Sequence, residues 1–135
     1  MPVTTYRVVI ADDSARLRDL LRDQLEAIEG VQVTGCAADG AEAIDLVRRL
    51  RPDLLVLDVR MPRASGFRVM EELRDSRELP TVVVCTNYPF PEYEARARAL
   101  GATHFVDKGK DLARVPALIT VLAADARRGR SDAGE

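Results

Sequence analysis

The sequence predicts an α/β fold in which five parallel strands form one sheet that is covered by helices on both faces. Apolar runs typical of strands alternate with helix-like periods along the whole 135-residue chain, the pattern of folds with a parallel sheet. The third and fourth runs are apolar almost throughout, which is typical of strands buried on both faces. Four of the runs also end in a polar residue, at the edge of the sheet where such folds bind their ligands.

Composition restricts the class of protein. The chain is 47% hydrophobic and 31% charged with a net charge of −2, which is ordinary for one globular domain and argues against direct nucleic-acid binding. No apolar run approaches the ~20 residues of a membrane span. Cys36 and Cys85 lie in apolar segments without CxxC spacing, which argues against a disulfide framework or a zinc site and favours a reducing, cytoplasmic location.

The first two strands enclose an amphipathic helix. The first strand, 8–11, is followed by two aspartates. Ser14 or Asp13 is expected to cap the helix, and Gly30 is expected to stop it. The second strand, 31–36, alternates apolar and polar residues, as edge strands do. The predicted apolar face of the helix consists of Leu17, Leu20, Leu21, Leu25 and Ile28.

The middle of the chain holds the most apolar strand. Residues 39–40 turn the chain into a second helix, which ends at the pair 51–52. The third strand, 53–59, is nearly all apolar and is expected to be central in the sheet. A loop over 61–66 leads to the third helix. The apolar positions of these two helices are Ala43, Ile44, Val47, Leu50, Phe67, Met70 and Leu73.

Two more strand and helix pairs complete the pattern. The fourth strand, 81–85, is followed by a helix with Pro91 in its first turn, and the fifth strand spans 104–107. Pro116 either lies in the first turns of the last helix, or that helix begins next to it, because a proline inside a helix removes a backbone hydrogen bond. The apolar face of this helix consists of Leu112, Val115, Leu118, Ile119 and Leu122.

The order of the strands follows from their burial. The first, third and fourth are expected to be central, which gives the order 2-1-3-4-5 with right-handed crossovers. The order then reverses between the first and third strands, where ligands bind in such sheets. The domain is expected to span 1–125. Residues 126–135 are expected to form a polar, disordered tail, with the basic run 127–130 as a solvated helix end.

Three carboxylates are expected to meet where the strand order reverses. Asp12 and Asp13 follow the first strand, and Asp58 follows the third. Carboxylates this close repel one another unless a cation is present, and Mg²⁺ prefers oxygen ligands of this kind. Taken singly, Asp12 and Asp13 could cap the helix and Asp58 could be a turn residue. Their joint position favours a magnesium site.

Two further polar residues follow the fourth and fifth strands. The ammonium group of Lys108 can neutralise a phosphoryl oxygen, and the hydroxyl of Thr86 can donate a hydrogen bond to another. Taken singly, this lysine would be a solvated charge and this threonine a residue that suits a strand. Together with the carboxylates they indicate transfer of a phosphoryl group onto Asp58 by positioning and electrostatics, giving an aspartyl phosphate.

These motifs together resemble those of response-regulator receiver domains. The resemblance covers residues 7–122, nearly the whole chain, and implies a flavodoxin-like fold, for which the order 2-1-3-4-5 is known. It is carried by Asp12-Asp13, by Asp58-Val59-Arg60-Met61-Pro62 with Gly66, by Thr86, and by Phe105-Val106-Asp107-Lys108.

The resemblance implies a role for each residue of the site. Asp58 would accept a phosphoryl group from the phosphohistidine of a histidine kinase or phosphotransfer protein. Asp13, Asp58 and the backbone carbonyl of Arg60 would bind Mg²⁺. Asp12 would reach the ion through water, and Lys108 would pair with the phosphoryl group. Phosphotransfer to itself and loss of the phosphate would be the only reactions of the domain, so it would not be an enzyme in the usual sense.

The resemblance also implies a switch. Thr86 would move toward the phosphoryl group and let the ring of Phe105 swing inward. This movement would change the face formed by the fourth helix, the fifth strand and the fifth helix. That face is the expected surface for a partner, an output domain or a second copy in a homodimer. Phe105 could alternatively be a plain core aromatic residue.

The chain departs from the family pattern after the lysine, where receivers commonly have a proline and this chain has Gly109, so a looser turn is expected. Two other positions, which tune the loss of phosphate in the family, hold bulky residues. These are Arg60, two residues after Asp58, and Tyr88, two residues after Thr86. Both could shield the phosphoryl group from water, which predicts a phosphorylated form that decays slowly.

Two other functions stay open. A degenerate receiver could act as an interaction module without phosphorylation, although all the signature positions are filled. An aspartate-nucleophile phosphatase normally has a second aspartate two residues after the first, where this chain has Arg60. The only histidine, His104, is expected to be an outward strand residue rather than a ligand or phosphodonor. Whether the domain acts alone or controls further domains, DNA-binding ones included, is not encoded in these residues.

Overall fold

The computed structural model describes residues 5–133, with side chains described from residue 5 to residue 129. One parallel five-stranded sheet has the order β2-β1-β3-β4-β5, which confirms the predicted order. The strands are β1 (Tyr6–Ala11), β2 (Val31–Ala37), β3 (Leu54–Leu57), β4 (Thr81–Thr86) and β5 (His104–Asp107).

Five helices alternate with the strands. The side chain of Ser14 accepts a hydrogen bond from the Leu17 amide and caps the first helix, so Ser14, not Asp13, is the N-cap. Asp39 caps the second helix in the same way through the Glu42 amide. The helices are α1 (Ala15–Glu26), α2 (Gly40–Leu50), α3 (Gly66–Asp75), α4 (Pro91–Ala99) and α5 (Arg114–Ala133).

The sheet separates two hydrophobic cores. Alternate residues of a strand point to opposite faces, so Val8 and Ile10 pack in one core while Val9 and Ala11 pack in the other. The first core is completed by α1 and α5, through residues such as Leu21 and Ile119. The second is completed by α2, α3 and α4. Every residue of β3 is buried, as its apolar sequence predicts for a central strand.

The parallel register brings the ends of the strands into line. Ala11 pairs with Leu57, and Leu57 pairs with Val84. Backbone hydrogen bonds continue one residue past the ends of β3 and β5. The Asp58 amide donates to the Ala11 carbonyl at 3.0 Å, and the Lys108 amide donates to the Thr86 carbonyl at 2.8 Å. The polar residues that follow the strands therefore have fixed backbones.

The helices correct one prediction from the sequence and decide between two alternatives of another. Leu20 was predicted to lie on the apolar face of α1, but it is 43% exposed. Successive residues of a helix point about 100° apart, so Leu20 is turned away from the buried direction of Leu21 and Leu25. Helix α5 begins at Arg114, so Pro116 lies in its first turn, which is the first of the two predicted alternatives. A backbone N–H at this position would have no partner within the helix, so the helix loses no hydrogen bond to the proline.

The predicted disordered tail over 126–135 is helical as far as Ala133. Ala126 packs against the core on the α1 side, and the guanidinium group of Arg127 donates to the Glu29 carbonyl at 3.3 Å. These contacts extend α5 past the predicted boundary at 125. Residues 134–135 lie outside the described residues. Over 5–133, no helix is long and apolar enough to span a bilayer.

The chain passes very close to itself at Gly66, behind the end of β3. A Cβ atom added at Gly66 would lie 2.3 Å from the backbone oxygen of Asp58 and 3.0 Å from the Cα atom of Val59. Since both neighbours are backbone atoms, Gly66→Ala is expected to lower the free energy of unfolding by about 1–3 kcal/mol, the usual cost of overpacking. Denaturant unfolding measures this change.

Gly129→Ala is the matched control for that measurement. A Cβ atom at Gly129 meets nothing within 4 Å, and alanine within a helix is more stable than glycine by about 0.5–1 kcal/mol. Equal unfolding midpoints for Gly66→Ala and the unchanged protein would show that the loop accommodates the methyl group.

Candidate functional site

Three carboxylates converge at the carboxyl edge of the sheet, where the strand order reverses. Asp12 follows β1 and Asp58 follows β3; both are buried, whereas the neighbouring Asp13 is exposed. One carboxylate oxygen from each lies within 4.8 Å of the other two. The structure thus brings together the three aspartates that the sequence singles out, and the exposed Asp13 leaves the group open to solvent.

Lys108 lies directly against two of these carboxylates. Its Nζ atom is 2.6 Å from Oδ2 of Asp12 and 3.2 Å from Oδ2 of Asp58, and its side chain is only 9% exposed. Burial raises the pKa of Asp58, and the charges of Asp12 and Asp13 add to this effect, although Lys108 opposes it. Burial would lower the pKa of Lys108, but the bonds to the two aspartates outweigh it and raise that pKa.

Asp12 is held in place by the chain around it. Its Oδ1 atom accepts a hydrogen bond from the Ser14 amide at 2.8 Å, while its backbone oxygen accepts one from Arg18 at 2.7 Å. Asp12 therefore shapes the turn before α1, whereas the helix itself is capped by Ser14. The second carboxylate oxygen of Asp12 still faces Lys108, so this structural role is compatible with a place in the site.

The donor set fits a hard divalent cation. Three carboxylates face one ammonium group, which leaves an excess of negative charge. Oxygen ligands of this kind suit Mg²⁺, which also keeps several of its waters and so needs an open side such as that at Asp13. The residues that could hold the ion are Asp12, Asp13 and Asp58.

Thr86 and Phe105 lie on the neighbouring strands β4 and β5 and differ in what they contact. Thr86 is fully buried at the end of β4, and its hydroxyl accepts a hydrogen bond from the Tyr88 amide at 3.0 Å. Phe105 packs in the core on the α4 side with 8% exposure. The ring is packed in the core in this structure, as a core aromatic residue would be.

Arg60 and Tyr88 form one side of the cavity above Asp58. The cavity has a volume of about 470 Å³ and is lined by the three aspartates, Lys108, Arg60 and Tyr88, with Leu17 and Leu20 of α1 on its other side. The guanidinium carbon of Arg60 lies 3.8 Å from the centre of the Tyr88 ring, within cation–π distance. Both residues therefore lie at the cavity, as their predicted shielding role requires.

Tyr93 is a contact of this site that the sequence analysis missed. The Nη2 atom of Arg60 donates to the Tyr93 hydroxyl at 3.1 Å, and this hydrogen bond raises the pKa of Arg60. Tyr93 lies on α4, 33 residues after Arg60. The only sequence signal is its place three residues after Phe90, which puts two aromatic rings on one face at the start of a helix.

The turn after Lys108 is well fixed although it contains Gly109. The side chain of Asp107 accepts hydrogen bonds from the Gly109 amide at 2.9 Å and from the Lys110 amide at 3.3 Å. These two hydrogen bonds constrain the turn at the position where receivers commonly have a proline. His104 contacts Thr103 at 3.1 Å, on a different part of the surface.

The family model for the response regulator receiver domain matches residues 8–120 of this chain. The chain belongs to the response regulator receiver family. The chain is also similar to parts of longer curated proteins. One is the protein-glutamate methylesterase/protein-glutamine glutaminase 1 of Methanospirillum hungatei JF-1, 35% identical over 81% of this chain. Another, from Xanthomonas oryzae pv. oryzae, is 40% identical over 82% of this chain.

Receivers of known structure share the fold. The receiver domain of a putative NarL regulator from Mycobacterium tuberculosis is 28% identical with a TM-score of 0.81, over 89% of this chain and 97% of that one. The response regulator domain of Thermotoga maritima CheB has a TM-score of 0.80 at 24% identity, over 90% and 96%. The curated methylesterases are longer, because the matched region is 32% of their length in both cases.

Cys85 lies on β4 directly before Thr86, with 2% exposure. Burial raises the pKa of its thiol to about 12, so almost no thiolate forms near neutral pH. Cys36 is only half-buried. Treatment with iodoacetamide at about pH 8 is therefore expected to alkylate Cys36 first and Cys85 only after unfolding, as followed by peptide mass spectrometry. Cys36→Ala isolates the second thiol, and rapid labelling of the folded variant would contradict its burial.

Proposed function

We propose that this receiver is a phosphorylation-dependent signalling switch that accepts a phosphoryl group on Asp58. The donor is the phosphohistidine of a histidine kinase or phosphotransfer protein, and the reaction uses Mg²⁺. The observation that carries this proposal is the position of Lys108, within hydrogen-bonding distance of both Asp12 and Asp58 at the floor of an open cavity.

The transfer needs no oxidant or further reactant. A carboxylate oxygen of Asp58 forms a bond to phosphorus while the phosphorus–nitrogen bond of the donor breaks, and that electron pair returns to the imidazole nitrogen. Lys108 is already hydrogen-bonded to Asp58, so its ammonium group stands ready to pair with a phosphoryl oxygen. The backbone of Asp58 is fixed by the hydrogen bond that its amide donates to the Ala11 carbonyl.

The carboxylates would hold the metal. Asp13, Asp58 and the backbone carbonyl of Arg60 would bind Mg²⁺ directly, and Asp12 would reach it through water. When bound, the ion supplies positive charge that offsets the repulsion between the carboxylates and the incoming phosphoryl group. The exposed side of Asp13 gives the ion and its waters access.

The signal would leave the site through the β4–α4 loop. Thr86 would exchange its bond with the Tyr88 amide for one in which its hydroxyl donates to the phosphoryl group. Phe105 is already packed inside, so we expect the larger change in the loop after Thr86 than in the ring. This change would alter the face formed by α4, β5 and α5.

That face would control what the protein binds. The partners are a histidine kinase or phosphotransfer protein, an output domain or target, and a second copy of the chain through α4, β5 and α5. The two free cysteines support a reducing, cytoplasmic location. In the longer methylesterase relatives a receiver shares the chain with other residues, and control of such a neighbouring domain fits a switch that has no turnover of its own.

Labelling with acetyl phosphate tests the proposal. We expect one phosphoryl group per chain in the presence of Mg²⁺, none with a chelator, and none in Asp58→Asn, because the nucleophile and the ion are both required. Intact-protein mass spectrometry measures the label. Asp23→Asn, which removes an exposed carboxylate of α1, is the matched control and should label normally.

Each alternative gives a different result in that experiment. A degenerate receiver would not label, whereas a phosphatase would release phosphate with turnover instead of stopping at one group per chain. Label that persists in Asp58→Asn would place the acceptor elsewhere.

The lifetime of the phosphorylated form tests the shielding by Arg60 and Tyr88. Both line the cavity above Asp58, so replacing both with alanine should admit water and shorten the half-life. A change of about tenfold corresponds to about 1.4 kcal/mol of activation free energy. Loss of radioactive label over time measures it. An unchanged half-life in the double variant would end the shielding hypothesis.

A further inference from the structure

We propose that Tyr93 is a positioning residue that holds Arg60 away from the phosphorylation site until Asp58 is phosphorylated. The Tyr93 hydroxyl and the Tyr88 ring hold the guanidinium group at the rim of the cavity, and a phosphoryl group on Asp58 competes with Tyr93 for it. This inference rests on the proposed function of Asp58 and adds a second connection from that residue to α4.

The contacts show which partner is fixed and which can move. The Tyr93 ring packs edge-on against Phe67 at 5.4 Å and against Phe90 at 5.3 Å between ring centres. Phe67 in turn is buried and lies under the guanidinium group of Arg96, at 4.4 Å. Arg60 is exposed. The tyrosine is therefore the anchored partner, and the arginine is free to exchange its contacts.

Arg60 contacts two uncharged groups, the Tyr93 hydroxyl at 3.1 Å and the centre of the Tyr88 ring at 3.8 Å. Lys108, rather than Arg60, forms the ion pairs with Asp12 and Asp58. A phosphoryl group adds charge of about −1.5 to −2 at the cavity floor, and guanidinium groups bind such oxygens with two parallel hydrogen bonds. Two parallel hydrogen bonds to an oppositely charged group are stronger than the single bond that Arg60 donates to an uncharged hydroxyl, so the phosphoryl group is the better partner.

The exchange would reach α4 by a different route from Thr86. Thr86 contacts the backbone amide of Tyr88, whereas Arg60 contacts the Tyr88 ring and the Tyr93 hydroxyl. When Arg60 releases the Tyr93 hydroxyl, the hydrogen bond between the loop after β3 and the first turn of α4 is lost. The loop that contains Tyr88 would thus respond both through its backbone and through its side chain.

Thermodynamic linkage gives the sign of the expected effect. If a phosphoryl group weakens the bond between Arg60 and Tyr93, then removing that bond must strengthen binding of a phosphoryl analogue. Tyr93→Phe keeps the packed ring and deletes only the hydroxyl. It should tighten the binding of beryllofluoride in the presence of Mg²⁺ by about two- to tenfold, the factor that corresponds to one net hydrogen bond.

The experiment is a double-mutant cycle read by NMR titration of the Lys108 and Asp58 amide signals. In an Arg60→Met background, which keeps the stem and removes the charge, Tyr93→Phe should have no effect on affinity. Arg96→Met is the matched control, because it removes another guanidinium group that lies over a ring next to α4 but does not line the cavity. Its affinity should equal that of the unchanged protein.

A second measurement separates positioning from a structural role. The ring signals of Tyr93 should shift when beryllofluoride binds to the unchanged protein, and this shift should be lost in Arg60→Met. Equal or weaker affinity of Tyr93→Phe, or the same change in both backgrounds, would overturn the inference while leaving the phosphoacceptor role intact. If the unchanged protein binds no beryllofluoride, the proposed function fails and this inference fails with it.

Discussion

An imbalance of charge at one edge of the sheet governs the chemistry available to this protein. Three carboxylate oxygens lie within 4.8 Å of one another, and one buried ammonium group, that of Lys108, faces two of them. Burial raises the pKa of Asp58, although Lys108 opposes this effect. The excess of negative charge suits the site to take up a further cation.

The backbone of the sheet maintains this imbalance. The Asp58 amide is bonded to the Ala11 carbonyl and the Lys108 amide to the Thr86 carbonyl, so neither charged side chain can move away by a shift of the main chain. Gly66 packs its backbone directly behind Asp58, at a distance that excludes a side chain. Two separate cores hold the strands from both faces. The electrostatic cost of the site is thus offset by burial elsewhere in the domain.

The rim of the cavity has its own arrangement of charge. Arg60 carries a second cation next to the acidic group but is bonded to Tyr88 and Tyr93, on the loop before α4 and on α4 itself. This arrangement connects an exposed cation at the rim to the helix that we expect to carry the signal. In our proposals the same side chain shields the site and responds to its phosphorylation; the sequence predicts only the shielding.

The sequence by itself determined the five strands, their order and the polar residues at their ends, because apolar periodicity and turn residues act over short stretches of chain. It also identified the three aspartates, Thr86 and Lys108. Only the tertiary structure decided that Lys108 reaches Asp12 from 96 residues away, that Tyr93 binds Arg60, and that Phe105 already lies inside. It also decided that α5 continues past residue 125. Such contacts depend on how packed elements meet in space, and local sequence patterns carry no record of those distances.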